Sequence, residues 1–160
     1  MKRPVHQRLR FLARLALLVS LASPLHAQDS STYQVAGAVA AYLGVMPAGI
    51  VGGHPPKHPE PRMHGGPPSG VHADHIVIAL FEEPTGKRIE DATVEVTISG
   101  VGGIEATRLT LEAMPIAGVV TYGGYVRFPG RDSYTIDLAI TRPGNATVTR
   151  ISFAYDHTSG

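Results

Sequence analysis

The 160-residue chain contains no cysteine, and this absence removes several kinds of protein at once. No disulfide can staple the fold, so the hydrophobic core has to hold it together alone. A thiolate nucleophile, a cysteine zinc site and an iron–sulfur cluster are excluded for the same reason. A metal bound by this chain must therefore be held by histidine, methionine or oxygen ligands.

Acidic residues are missing from the first 27 positions, although five of the fourteen Lys and Arg lie there. An apolar stretch from Leu15 to Leu21 follows the basic residues, and the small residue Ala27 comes shortly afterwards. A basic start, a short apolar region and a small residue at the cleavage point are typical of a secretory signal. The stretch is shorter than the roughly 20 apolar residues that cross a bilayer. We therefore predict a signal peptide at residues 1–27.

Cleavage after the signal leaves a domain of different charge. Residues 28–160 contain nine Lys and Arg and thirteen Asp and Glu, a formal net charge of −4 with histidine neutral. An acidic domain is a poor nucleic-acid binder, since that function usually shows a basic face. We expect one exported domain at residues 28–160, located in the periplasm and without a membrane span.

Helical periodicity is absent from the exported part, and alternation of apolar and polar residues takes its place. The segments 92–99, 108–113 and 134–140 alternate with a period of two, as half-buried strands do. His75 to Phe81 is a continuous apolar run, as in a central strand. Turn sequences rich in glycine and proline separate these segments. The pattern predicts an immunoglobulin-like antiparallel β-sandwich of about seven strands, the first of them at 33–42.

One segment, residues 46–71, does not fit a strand or a helix. Between Met46 and Gly70 there are seven prolines, six glycines and three histidines. Proline at this density prevents a regular helix or a central strand. We predict an irregular loop, and long loops of this kind tend to be functional or disordered.

Histidine and methionine provide the chemistry of this chain. The candidate metal ligands lie in the loop, at the start of the central strand and near the end of the chain: Met46, His54, His58, Met63, His64, His72, His75, Met114 and His157. Imidazole suits copper, zinc, nickel and iron, whereas thioether selects copper(I). The mixture therefore favours copper over zinc, with iron as a further option, and Asp74 or Glu60 as a carboxylate that orients a ligating imidazole.

Simpler interpretations exist for the same residues. The loop histidines fit a flexible solvated segment, and Met114 fits a core position that fills a gap. Antiparallel sandwiches also have edge strands that pair with partners, so a non-catalytic envelope interaction module is the alternative function. We expect no enzyme, because the chain has no G-x-S-x-G elbow and no phosphate-binding loop.

The segment from Met114 to Pro143 resembles the bacterial periplasmic iron-transport accessory family. Met114 matches the ligating Met of that family, Tyr122-Gly123 its Tyr-Gly, and Pro129-Gly130 its turn. The resemblance implies an immunoglobulin-like sandwich that binds copper and assists iron uptake. We therefore expect a metal ion as the ligand, and a membrane metal transporter or a second copy of the chain as the protein partner.

The resemblance also carries over ligands, with one departure. His72 or His75 lies where the family has a ligating histidine at a strand start, and Met46-Pro47 is similar to its early Met-Pro. Thr121 stands where the family has a further ligating histidine. If the site is kept, the missing imidazole comes from the loop histidines or from His157.

Overall fold

The computed structural model describes residues 32–53, 65–66, 68, 73–100 and 107–157. Within them, eight strands and one short helix follow each other along the chain: β1 (Tyr33–Ala36), β2 (Val39–Pro47), α1 (Ala48–Gly52), β3 (Ala73–Glu82), β4 (Thr93–Gly100), β5 (Thr107–Ile116), β6 (Val119–Arg127), β7 (Asp132–Thr141) and β8 (Thr149–His157). No helix in this part of the chain is long and apolar enough to cross a membrane. The predicted signal peptide at residues 1–27 lies outside the described residues and stays a prediction.

The strands form one antiparallel sheet in the order β1-β2-β3-β6-β5-β4-β7-β8. Its two end strands, β1 and β8, come into contact, so the sheet curls back on itself and is nearly closed. One wall contains β1, β2, β3 and β6, the other contains β4, β7 and β8, and β5 pairs with both walls. The predicted all-β antiparallel sandwich is confirmed, whereas its immunoglobulin-like type stays a prediction.

The core lies between the walls and takes alternate residues from the strands. In β3, Ile76, Ile78 and Leu80 are fully buried and belong to the core, as the apolar run predicted. Burial of one such side chain stabilises the fold by roughly 1.5–3 kcal/mol. Because successive strand residues point to opposite faces, the residues between them lie on the outer face of the sheet.

The first predicted strand, at 33–42, is two strands. Gly37 and Ala38 form a two-residue turn between β1 and β2, and Ala36 pairs with Val39. Gly37 has a φ of 58°, which a residue with a side chain rarely adopts. The β-branched and aromatic residues on both sides of the turn concealed this hairpin, and its extra strand brings the number in the described residues to eight.

The irregular loop predicted at 46–71 begins later than expected. β2 continues through Met46 to Pro47, and α1 follows directly. Pro47 ends the strand without breaking its pairing, and it pairs with Asp74 of β3. Val51 of α1 is fully buried, so this helical turn is packed against the sheet. The proline- and histidine-rich residues 54–64 lie outside the described residues.

Tyr122 of β6 ties the sheet to the segment that precedes β4. Its side chain is buried at 1% exposure. The backbone N–H of Ala92 donates to the tyrosine hydroxyl at 2.9 Å, and the hydroxyl donates to the carbonyl of Ile89 at 3.2 Å. Both bonds join residues about thirty positions apart, so this hydroxyl holds β6 in place against a distant segment.

We predict that Tyr122→Phe destabilises the protein by about 1–3 kcal/mol, because it leaves two backbone groups without their partner. Urea denaturation measures the free energy of unfolding. Tyr134→Phe is the matched control, since its hydroxyl makes one long bond of 3.4 Å to Gly130. Equal losses in the two variants would contradict the role given to Tyr122.

Two phenols, the buried Tyr122 and the half-buried Tyr155, also predict how stability depends on pH. Burial raises the pKa of Tyr122 above its ordinary 10.0. Burial, together with the negative charge of Asp74, raises the pKa of Tyr155. The unfolded chain ionises first, so the stability that these phenols contribute is complete below pH 10.0 and is lost as the pH rises through the folded pKa. Urea denaturation on both sides of pH 10.0 should show this decline, and it should be weaker when both tyrosines are Phe.

Candidate metal centre

The outer face of β3 carries His75 in a row that crosses three strands. Met46 of β2 pairs with His75 on one side, and Tyr125 of β6 pairs with it on the other. Residues paired directly across antiparallel strands share a face and have Cβ atoms about 4.5–5.5 Å apart. His75 is therefore flanked by a thioether residue and by a phenol, on the face away from the core.

Gly123 of β6 brings a second potential ligand to the same place. A Cβ atom added to Gly123 would lie 2.8 Å from the sulfur of Met114 and 3.0 Å from Nε2 of His75. It would lie 2.4 Å from the terminal methyl of Met114, closer than any real contact. The space above this glycine is thus occupied by the donor atoms of two side chains from two other strands. The Met114 sulfur and the His75 Nε2 are therefore close to each other, since their separation cannot exceed the sum of these two distances to the added Cβ.

Both donor residues are buried, on the face of the sheet away from the main hydrophobic cluster. Met114 is 0% exposed and His75 is 1% exposed. Neither is part of the hydrophobic core cluster, which takes its residues from the opposite face of β3 and β6. Met114 is therefore buried outside that cluster, and its role as a metal ligand stays a prediction.

Tyr125 contributes an aromatic contact to the imidazole. Its ring and the ring of His75 have centroids 4.9 Å apart and are tilted by 40°. The phenol oxygen is itself shielded from solvent. The ring of Tyr125 therefore packs against the same imidazole whose Nε2 lies near Gly123.

His157 lies on the other side of the sheet. Asp74 precedes His75, so its side chain points toward the core, and its Oδ2 lies 3.4 Å from Nε2 of His157. Nδ1 of His157 is 2.7 Å from the carbonyl oxygen of Gly130. The imidazole also stacks on Phe128, with ring centroids 4.9 Å apart. Asp74 therefore lies beside the imidazole of His157 at the end of β8, and its predicted role in orienting a ligating imidazole stays a prediction.

The structure brings together some of the predicted ligands and leaves others untested. His75, Met114 and Met46 share one face, and Thr121 pairs with Met114 across β5 and β6. Within the described residues no group of three His, Cys, Asp or Glu side chains is placed to hold a metal. The remaining candidates lie outside the described residues: His54, His58, Met63, His64 and His72.

Two residues of the site were not among the predicted ligands. Gly123 belongs to the Tyr-Gly pair of the family resemblance, and no sequence motif marks Tyr125 as part of a site. The two-residue period of a strand, which can be read from the sequence, places Thr121, Gly123 and Tyr125 on one face of β6. Their position beside His75 depends on the pairing of β3 with β6, which adjacent residues do not reveal.

This combination of a nearly closed antiparallel sheet and a buried His–Met pair on its outer face invites comparison with known proteins. No family model matches the sequence, and no curated protein does. A DUF4426 family protein from Pseudomonas aeruginosa PAO1 has a similar structure, with a TM-score of 0.63 and 14% identity. The match covers 80% of this chain and 94% of that one.

Two copper-bound proteins are similar as well. A copper-bound variant of FetP from uropathogenic Escherichia coli strain F11 matches with a TM-score of 0.59 and 13% identity, over 81% of this chain and 95% of that one. The copper-reconstituted P19 protein of Campylobacter jejuni matches with a TM-score of 0.58 and 12% identity, over 79% and 92%. At these identities the matches establish a shared fold, and they agree with the family resemblance noted in the sequence.

We predict that Gly123→Ala displaces His75 and Met114, because an added methyl would overlap the thioether. The NMR signals of the Met114 methyl and the His75 ring should both shift in the metal-free protein. Gly44→Ala is the matched control. Gly44 lies on β2, next to β3, and a Cβ added there meets nothing closer than 3.8 Å. Unchanged signals in the Gly123 variant would show that the two side chains do not fill this space.

Proposed function

We propose that this protein binds copper in the periplasm, as a carrier or as an accessory to a membrane metal transporter. The observation that supports this function best is the convergence of the Met114 sulfur and the His75 Nε2 over Gly123. Imidazole and thioether together suit copper better than zinc or a hard cation. The copper-bound proteins with the same fold support the choice of copper.

The surroundings of the pair fit a binding role. Both side chains are buried, so the donors are held in position before the ion arrives. Gly123 has no side chain to occupy the space between them, and Tyr125 packs against the imidazole. The residues present therefore fit a copper ion held by His75 and Met114. Copper would be the cargo of this site, and we propose no catalytic step.

The remaining sequence candidates have different places in this proposal. Met46 lies beside His75 and is proposed as a neighbouring ligand. His157 is the least suited, since its two ring nitrogens face Asp74 and Gly130. The candidates His54, His58, Met63, His64 and His72 stay proposed ligands from the segment before β3, and iron stays a second possible cargo.

An interaction module is the alternative function, and one feature of the surface favours it. Tyr33 of β1 and Tyr42 of β2 are 40% and 48% exposed, with ring centroids 4.7 Å apart. Tyr42 also makes an edge contact of 5.5 Å with Phe81 of β3. Exposed aromatic residues of this kind are enriched in protein interfaces, so an envelope protein or a second copy of the chain is the partner proposed.

The copper function predicts that His75→Ala and Met114→Leu each weaken copper binding by at least about tenfold, the scale on which even outer-shell partners change metal affinity. Titration against a competing chelator measures the affinity. Leucine keeps the apolar volume of methionine, so a loss in that variant reports the sulfur and not the packing.

Copper should also raise the melting temperature of the unaltered protein as its concentration increases, because it binds only the folded state. Zinc should raise it less. Affinities that are the same in both variants and in the unaltered protein would refute the copper site. A partner that is still captured from periplasm after metal is stripped would then favour the interaction module.

A further inference from the structure

We propose that the site selects copper(I) over copper(II), with Met46 as a third donor beside His75 and Met114. This inference rests on the proposed copper function and adds the oxidation state of the cargo. It follows from which residues share the outer face of the sheet, from what stands opposite Met114, and from the burial of the donors.

The first step concerns the position of Met46. β2 and β3 pair without interruption from Val39–Glu82 to Pro47–Asp74, and this register sets Met46 directly opposite His75. The inward-facing neighbours confirm the face, because Val45 and Ile76 both pack into the core. Met46 and His75 therefore both start from the outer face, with Cβ atoms about 4.5–5.5 Å apart. A flexible thioether at that distance reaches an ion bound at His75.

The second step concerns the position opposite Met114. Thr121 is its cross-strand partner, so a hydroxyl stands where a second imidazole would make the site suitable for copper(II). The next row across the sheet, from β2 to β6, is Gly44, Val77 and Gly123, and it contains no metal ligand. Among the described residues of this face, the donors beside each other are thus the imidazole of His75 and the thioethers of Met46 and Met114. Such a soft set selects copper(I).

The third step concerns access to oxygen ligands. His75 and Met114 are buried, whereas the harder copper(II) ion gains from additional nitrogen or oxygen ligands. Glu112 of β5 pairs with Gly123 of β6 and shares this face, but Glu112 is exposed. The buried pair itself offers one nitrogen and one sulfur donor, a combination that suits the soft ion.

The experiment compares the two oxidation states in protein purified after export of the full chain. Copper(I) affinity is measured without oxygen against a chromophoric copper(I) chelator, and copper(II) affinity in air against a copper(II) chelator. We expect copper(I) to bind at least tenfold more tightly, the factor that corresponds to about 1.4 kcal/mol. Met46→Leu should weaken copper(I) binding by at least about tenfold and leave the melting temperature of the metal-free protein almost unchanged.

Two further variants separate the donors. Thr121→His introduces an imidazole opposite Met114 and should raise copper(II) affinity, with the nitrogen signature of a second histidine in the copper(II) EPR spectrum. Glu112→Gln is the control on the same face and should leave copper(I) affinity unaltered.

The possible failures are distinguishable. Copper(II) bound as tightly as copper(I), or a Met46→Leu variant with full copper(I) affinity, would overturn the selectivity and leave the copper function standing. A protein that binds neither ion would overturn the proposed function, and this inference with it.

Discussion

Strands β3 and β6 pair in a register that sets His75 opposite Tyr125 and Ile78 opposite Tyr122, and the rest of the molecule depends on this pairing. A slip of one residue in either strand would turn every side chain to the other face. The apolar residues Ile76, Ile78 and Leu80 would then point outward, and the polar His75 would enter the core. Burial of the apolar side chains therefore also keeps the His75 imidazole on the outer face, where the metal centre is proposed. Stability and the arrangement of the site have the same physical origin.

The site is formed by close approach over a glycine and not by a ligand motif in the sequence. Gly123 leaves room for the sulfur of Met114 and the Nε2 of His75, which arrive from β5 and β3. The ring of Tyr125 packs against the same imidazole. On the inner face of the same strand, Tyr122 binds two backbone groups and fixes β6. Along β6, the inward-facing Tyr122 thus stabilises the fold, and the outward-facing Gly123 and Tyr125 belong to the proposed site.

Prediction from the sequence was most successful where one physical pattern dominates. The alternation of 92–99 and 134–140 and the apolar run at 75–81 predicted strands that the structure contains as β4, β7 and β3. It failed at 33–42, where a two-residue turn at Gly37 divides two strands of the same composition. The predicted loop at 46–71 overlaps the end of β2 and α1, because a high proline density does not show that Met46 and Pro47 still pair with β3. The positions of His54 to His72, and of the signal peptide, stay predictions.

The sequence by itself determined the all-β class, the absence of thiolate chemistry and the set of residues able to bind a soft metal. These follow from composition and from the two-residue period of strands, which are local properties. Only the tertiary structure decided which of those residues meet. His75 and Met114 are 39 positions apart and come together because β3 and β5 both flank β6. His75 and Asp74 are adjacent and are separated by the sheet, since successive strand residues point to opposite faces. Proximity along the chain and proximity in space differ here because the register of paired strands is set by burial of the core.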